Sequence, residues 1–186
     1  MPLKPLDQIF TELPMRIKAW SVYEYIRELG EGGELVKASG YFEALRGIPS
    51  AESAAAKSAS ILIRCHLYRK EKSRALNVYQ ALMALPPQGD VESVQVKSTL
   101  DIIHSLLDDS MSEAYSIWLE LLKKSQFPDL KWRIARSGLT LLKHAYRYSD
   151  KEMAEAIYKS FDLMRQASHC RKWVEEADKI YLKKAW

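Results

Sequence analysis

The chain has 186 residues, 47% of them apolar and 28% charged, with a formal net charge of +4. That balance excludes a disordered polymer, and so mild a charge does not demand nucleic acid, though it leaves room for an acidic partner or a basic face. The two cysteines, Cys65 and Cys170, are too few and too far apart for a secreted disulfide framework. The opening "MPLKPLDQIF" lacks the long apolar run of a signal peptide, and no stretch approaches a membrane span. Cytosol or nucleus, or a host cell reached through a secretion machine, is therefore expected, with the cytoplasm preferred and both thiols reduced.

Gly and Pro fall at "GEGG" (30–33), "GIPS" (47–50), "PPQGD" (86–90) and "FPD" (127–129). Between them the chain is rich in Ala, Leu, Glu, Lys and Met, all good helix formers, and period-2 alternation is scarce. About ten helices are predicted. A short one covers 7–12, and the next runs from Pro14 to about Leu29. "GEGG" follows as a flexible loop, and then comes a helix holding Ala38 that ends before Pro49. Ser53 to Tyr68 is opened by Ser50 as N-cap, with Ser53 at the capping-box position. Ser73 to Leu85 stops at Pro86. Asp90 caps a helix through Leu107, and Ser112 to Lys124 follows. Asp129 caps a helix to Tyr146, Ser149 or Asp150 starts one to Ala167, and Ser168 caps the last, which ends near Trp186.

A pattern recurs along these segments: Ala38, Phe42 and Leu45; Ala75, Tyr79 and Leu82; Ala114, Trp118 and Leu121; Ala154, Tyr158 and Phe161. The sets lie 37, 39 and 40 residues apart. A small residue lets two helix backbones approach, and a ring four residues on, on the same face, fills the space above it. Short loops join antiparallel neighbours, so the repeat predicts helical hairpins, each burying its apolar face on the next. "KEKSRALNVYQALMALPP" resembles the second helix of a tetratricopeptide repeat and its exit, with Ala75, Tyr79, Leu82 and Pro87 at the family's positions and Leu62 in the helix before. Ile63 and His66 stand where that family has Gly and Tyr.

The resemblance implies an all-α fold: a short right-handed α-solenoid of about four tetratricopeptide-like hairpins plus a C-terminal capping helix. Residues 1–18 form an N-terminal segment with its short helix, 19–167 the repeats, and 168–186 the cap. In "HCRKWVEEADKIYLKKAW", Trp173, Ala177 and Ile180 share helical spacing with Val174 and Tyr181 alongside. The opposite face carries Arg171, Lys172, Glu175, Glu176, Lys179 and Lys183, as a helix wet on one side requires.

Candidate chemistry is thin. His66, His104 and His144 fall near equivalent points of three successive first helices, but hairpins stacked about 10 Å apart cannot bring three imidazoles to one zinc at about 2 Å each. The adjacent pairs Cys65-His66 and His169-Cys170 point about 100° apart on a helix and do not converge as nucleophile and base. "GEGG" carries no phosphate-binding pattern. Asp108-Asp109 reads as a solvated hairpin turn and Glu175-Glu176 as a wet helix face. No catalytic residue, metal or cofactor is expected.

The basic residues are more informative. In a tetratricopeptide-like stack the first helix of each hairpin lines the concave surface. Arg27, Arg64 and Lys143 fall at one equivalent position, with Ile103 at the fourth. Lys57 and Arg136 share another, and Arg147 follows Lys143 by one turn. With Tyr68, these form a candidate basic strip that attracts an acidic peptide or a terminal carboxylate through charge-assisted bonds. The blander reading is a solvated surface whose long stems cover apolar neighbours. The expected function is a non-catalytic protein-binding module, an adaptor, assembly factor or chaperone, with Arg27, Lys57, Arg64, Tyr68, Arg136, Lys143 and Arg147 gripping the partner. The alternative is a single-stranded RNA-binding helical-repeat protein, against which Val96, Thr99 and Ile103 interrupt any base-reading code. The exposed ends of such an array leave homodimerisation open.

Overall fold

A computed structural model describes residues 15–124 and 128–184, and every regular element among them is helical. In chain order these are α1 (Met15–Glu31), α2 (Leu35–Arg46), α3 (Glu52–Tyr68), α4 (Lys72–Met83), α5 (Asp90–Leu106), α6 (Met111–Lys124), α7 (Pro128–Arg147), α8 (Lys151–Ser160), two short 3₁₀ turns (Phe161–Met164 and Ser168–Cys170) and α9 (Arg171–Lys184). None of the described helices is long and apolar enough to cross a membrane. The helix expected at 7–12, the start at Pro14, the side chain of Asp129 and Trp186 lie outside the described residues.

The chain divides into two compact units between Ser98 and Thr99. In the first, α1 packs on α2 and on α3, and α3 packs on α2 and on α4. Its core sets Ile26, Phe42, Leu45, Leu62 and Ile63 beside Ala55, Ala56 and Ala59, all buried. Pro86 and Pro87 end α4, and its last carbonyls are met from α5: Gln95 Nε2 donates to Leu82 O at 3.0 Å and to Leu85 O at 2.9 Å. In the second unit α7 is central and packs on α6, α8 and α9.

The recurring motif is one local structure used four times. Ala38, Ala75, Ala114 and Ala154 are fully buried, each in the first turn of a helix that follows a tight turn. Their N–H groups donate to the turn residues Glu34, Glu71, Ser110 and Asp150 at 3.0, 3.1, 3.0 and 3.0 Å. The rings divide by type. Phe42 and Trp118 are buried, whereas Tyr79 and Tyr158 are half-buried, as phenols are when one end must stay polar. The preceding turns also match. Glu34, Glu71 and Asp150 donate back to Leu29, His66 and Ala145 at 2.8, 2.9 and 3.0 Å, around a left-handed residue at Gly33 (φ 85°), Lys70 (φ 61°) or Ser149 (φ 59°). This is the six-to-one closure of a Schellman turn. The turn before α6 differs: Ser110 N–H reaches Leu106 O at 2.8 Å, one residue sooner, with no left-handed residue between them.

Four local expectations are corrected. Ser50 is not the cap of α3; it takes φ 66°, Ala51 holds the cap position, and no side chain bonds there. "GEGG" is only half a loop, because Gly30 and Glu31 finish α1. Gly30 is buried, where an added Cβ would stand in ordinary contact with Cys65 Sγ and Ile61 at 3.5 Å, and Gly32 and Gly33 turn the chain. The helix expected to reach Ala167 stops at Ser160 and tightens into a 3₁₀ turn, which brings Phe161 and Met164 inward. Ser168 opens a second 3₁₀ turn rather than capping α9, which begins at Arg171. Asp150, by contrast, is the side-chain cap expected of it: its Oδ1 accepts from Met153 N at 3.0 Å.

Candidate functional site

The shape of α3 and α7 places the expected binding residues. Lys57, Arg64 and Tyr68 are spaced i, i+7 and i+11, which is one helical face. Arg136, Lys143 and Arg147 repeat that spacing, each 79 residues after its counterpart. Each trio lies in its own compact unit. Arg64, Tyr68, Arg136, Lys143 and Arg147 are exposed, Tyr68 to 91%, while Lys57 and Arg27 are half-buried.

Part of this charge is already matched within the chain. Arg27 pairs with Glu24 at 2.8 Å, and Lys57 lies 3.5 Å from Asp90 and 4.6 Å over the Trp20 ring. Lys143 donates to Glu176 at 2.7 Å, and Arg136 lies 5.9 Å over Trp173. Exposed pairs of this kind contribute at most about 1 kcal/mol and open readily. Among the described residues no carboxylate pairs with Arg64, Arg136 or Arg147; Arg64 Nε reaches only the Ser60 carbonyl of its own helix, at 3.4 Å.

Ile103 does not belong to this face, because it is fully buried, as are Val96 and Thr99 to within 2%. The short third turn explains the shift. With one residue fewer between Leu106 and Ser110, the register carried over from the alanines slips by one. The exposed equivalents on α5 are Lys97 and His104, each 40 residues after Lys57 and Arg64 and 39 before Arg136 and Lys143. The same slip breaks the histidine ladder. His66 is buried at the turn position shared with Leu106 and Ala145, His104 is on the exposed stripe, and half-buried His144 lies between these, 3.8 Å from Asp108. Among the described residues no three of His, Cys, Asp and Glu gather as a metal site requires. Burial pushes the thiols of half-buried Cys65 and buried Cys170 up from the usual value, which keeps them protonated.

Two features escaped the sequence reading. The first is a polar clasp at the C-terminal end. Arg165 Nη1 and Nη2 donate to Asp178 Oδ2 and Oδ1 at 3.0 and 2.9 Å, and its Nε to Asp162 at 2.6 Å. The Tyr158 hydroxyl donates to Asp178 Oδ1 at 2.8 Å, and the Tyr158 and Tyr181 rings stack at 3.9 Å. The clasp joins α8, the 3₁₀ turn and α9 by bidentate geometry that single-residue spacing does not announce. The Arg165 bonds hold the Asp178 carboxyl below its usual value. A group depressed in the folded state contributes stability above its unfolded value, about 4, and loses it as pH falls through the folded one. Asp178→Asn is therefore expected to destabilise the protein at pH 7, by thermal denaturation, with the gap to wild type closing as pH falls below about 4. A gap that stays constant with pH excludes this role for the carboxylate.

The second is a cleft of about 360 Å³ in the first unit, lined by α2, the end of α3 and α4. Val36, 80% exposed, and Val78 supply apolar surface, and Ser39, Glu43, Arg74 and Asn77 supply polar groups. His66 also belongs to the lining though it is only 3% exposed, and its Nδ1 lies 2.7 Å from Glu71 Oε2. That bond, before the nearby Arg74, holds the Glu71 carboxyl below its usual value. Compared with family models, with curated proteins and with solved structures, the chain matches none.

Proposed function

We propose that the chain is a short right-handed α-solenoid of about four tetratricopeptide-like hairpins and serves as a non-catalytic protein-binding module, holding an acidic partner segment on its first helices. Such a module acts as an adaptor, assembly factor or chaperone, and the proposed setting is the cytoplasm. Support for the repeat comes from the buried alanine that opens four helices, with the same closing turn before three of them, and from α1 packing on α3 and α7 on α9. The binding role rests on one observation: the spacing of Lys57, Arg64 and Tyr68 along α3 recurs as Arg136, Lys143 and Arg147 along α7, with Arg64 and Arg147 exposed and without a carboxylate among the described residues. Cations of that kind steer and orient an acidic chain more than they add raw affinity. Tyr68 offers a flat amphipathic surface beside them.

Selection of displayed peptides on the intact chain tests this. Acidic peptides are expected to be enriched, and the enrichment to be lost on the Arg64→Glu, Lys143→Glu double variant, whose circular dichroism stays helical. Enrichment that is absent, or equal on both proteins, removes the reading. A gel shift with mixed single-stranded RNA separates the other class. Tight binding that weakens steeply between low and moderate salt transfers the same cations to a phosphate backbone.

A further inference from the structure

The two copies of the basic spacing differ at their middle position. On α3 the middle cation, Arg64, meets no carboxylate among the described residues, and its Nε reaches only the Ser60 carbonyl of its own helix. On α7 the middle cation, Lys143, donates to Glu176 Oε1 of α9 at 2.7 Å. The first position makes no such difference, because both copies meet an indole there. Lys57 lies 4.6 Å over the Trp20 ring of α1, and Arg136 lies 5.9 Å over the Trp173 ring of α9. On α1, Glu24, one turn past Trp20, is turned to its own helix and pairs with Arg27 at 2.8 Å. On α9, Glu176 stands one turn past Trp173 and crosses to Lys143 instead.

The position of Glu176 is set by its neighbours. α9 packs on α7 with Val174 and Ala177 buried, and Asp178 is tied to Arg165 at 3.0 and 2.9 Å and to the Tyr158 hydroxyl at 2.8 Å. A tethered carboxylate beside a cation acts at an effective concentration on the order of millimolar or above. It makes with Lys143 the same charge-assisted bond that an acidic chain would make. Glu175, next to it, carries the same charge but bonds Arg171 on its own helix at 2.8 Å.

We propose, on the basis of the acidic-partner reading, that α9 is a built-in competitor for the partner: Glu176 occupies the α7 copy of the strip and leaves the α3 copy open. An acidic segment displaces Glu176 before it reaches Lys143. Both side chains of that pair are partly in water, 54% and 39% exposed, so the displacement weakens binding by no more than about fivefold. Movement of α9 off α7 would make the second copy as available as the first.

Amide NMR titration of the full chain with an N-acetylated hexaglutamate amide at low ionic strength tests this, since it reads 57–68 and 136–147 separately in one sample. In Glu176→Gln the response of 136–147 is expected to tighten about two- to fivefold, with that of 57–68 unchanged. Glu175→Gln removes the same charge from the same helix without freeing Lys143, and both responses should stay as in wild type. Both carboxylates reach solvent, so the two variants fold, and unchanged spectra away from α9 verify it. No gain at 136–147 in Glu176→Gln, an equal gain in Glu175→Gln, or an equal gain at 57–68 overturns the competitor while leaving the acidic-partner reading in place. No shifts on either helix in any of the three proteins overturns that reading and the competitor with it.

Discussion

Trp118→Ala is expected to lose about 3–5 kcal/mol of stability, the largest effect of any single truncation argued from this structure. Trp118 is fully buried on α6; its Nε1 donates to Ile134 O at 2.8 Å, and its ring lies 5.9 Å from Phe161 and 6.2 Å from Tyr115. Truncation opens a cavity at the junction of α6, α7 and the turn after α8, where three helices' worth of contacts meet. Gly138 lies against the same ring. It sits inside α7, where glycine costs about 1 kcal/mol against alanine. A Cβ there would lie 2.8 Å from Trp118 Cε2 and closer still to Cζ2, so the indole occupies the space that the missing methyl leaves. Gly138→Ala should destabilise by about 1–3 kcal/mol despite its better helix propensity, because a buried ring has nowhere to move. In the Trp118→Ala background the same change should become neutral or stabilising. Thermal or denaturant unfolding of the four proteins of this double-mutant cycle measures it, and additive effects would exclude the steric account.

The second large effect is at the motif alanines. Ala75→Leu inserts three heavy atoms into a site with no exposure, on the first turn of α4 where it packs on α3. About 1–3 kcal/mol of destabilisation is expected, with a Tm fall of about 2–4 °C for each kcal/mol. Ala84→Leu, at the exposed C-cap of the same helix, should stay within about 0.5 kcal/mol. If the two variants unfold alike, Ala75 is not a close-approach residue and the four-fold motif loses its physical meaning. The equivalent Ala38, Ala114 and Ala154 are predicted to follow Ala75, since each is equally buried and makes the same backbone bond.

The helices were legible in the sequence because their signals are local. Propensity, the stops at Pro86 and Pro87, the cap at Asp150 and the small-then-ring spacing all act within one or two turns, and the four alanines are buried as that spacing requires. The basic face of α3 and α7 was legible for the same reason: i, i+7 and i+11 is a property of one helix. What the sequence could not carry was the register from one helix pair in the sequence to the next. A turn one residue shorter at Leu106–Ser110 moved Ile103 into the core and put Lys97 and His104 on the surface, and no residue in the turn advertises its length. The clasp of Arg165 with Asp178 and the fit of Gly138 under Trp118 join residues 13 and 20 positions apart on different elements. So does the cleft that gathers Val36, His66 and Arg74. Those groups meet only once helices pack, because closing space and satisfying polar atoms across helices depend on three-dimensional distance rather than on position along the chain.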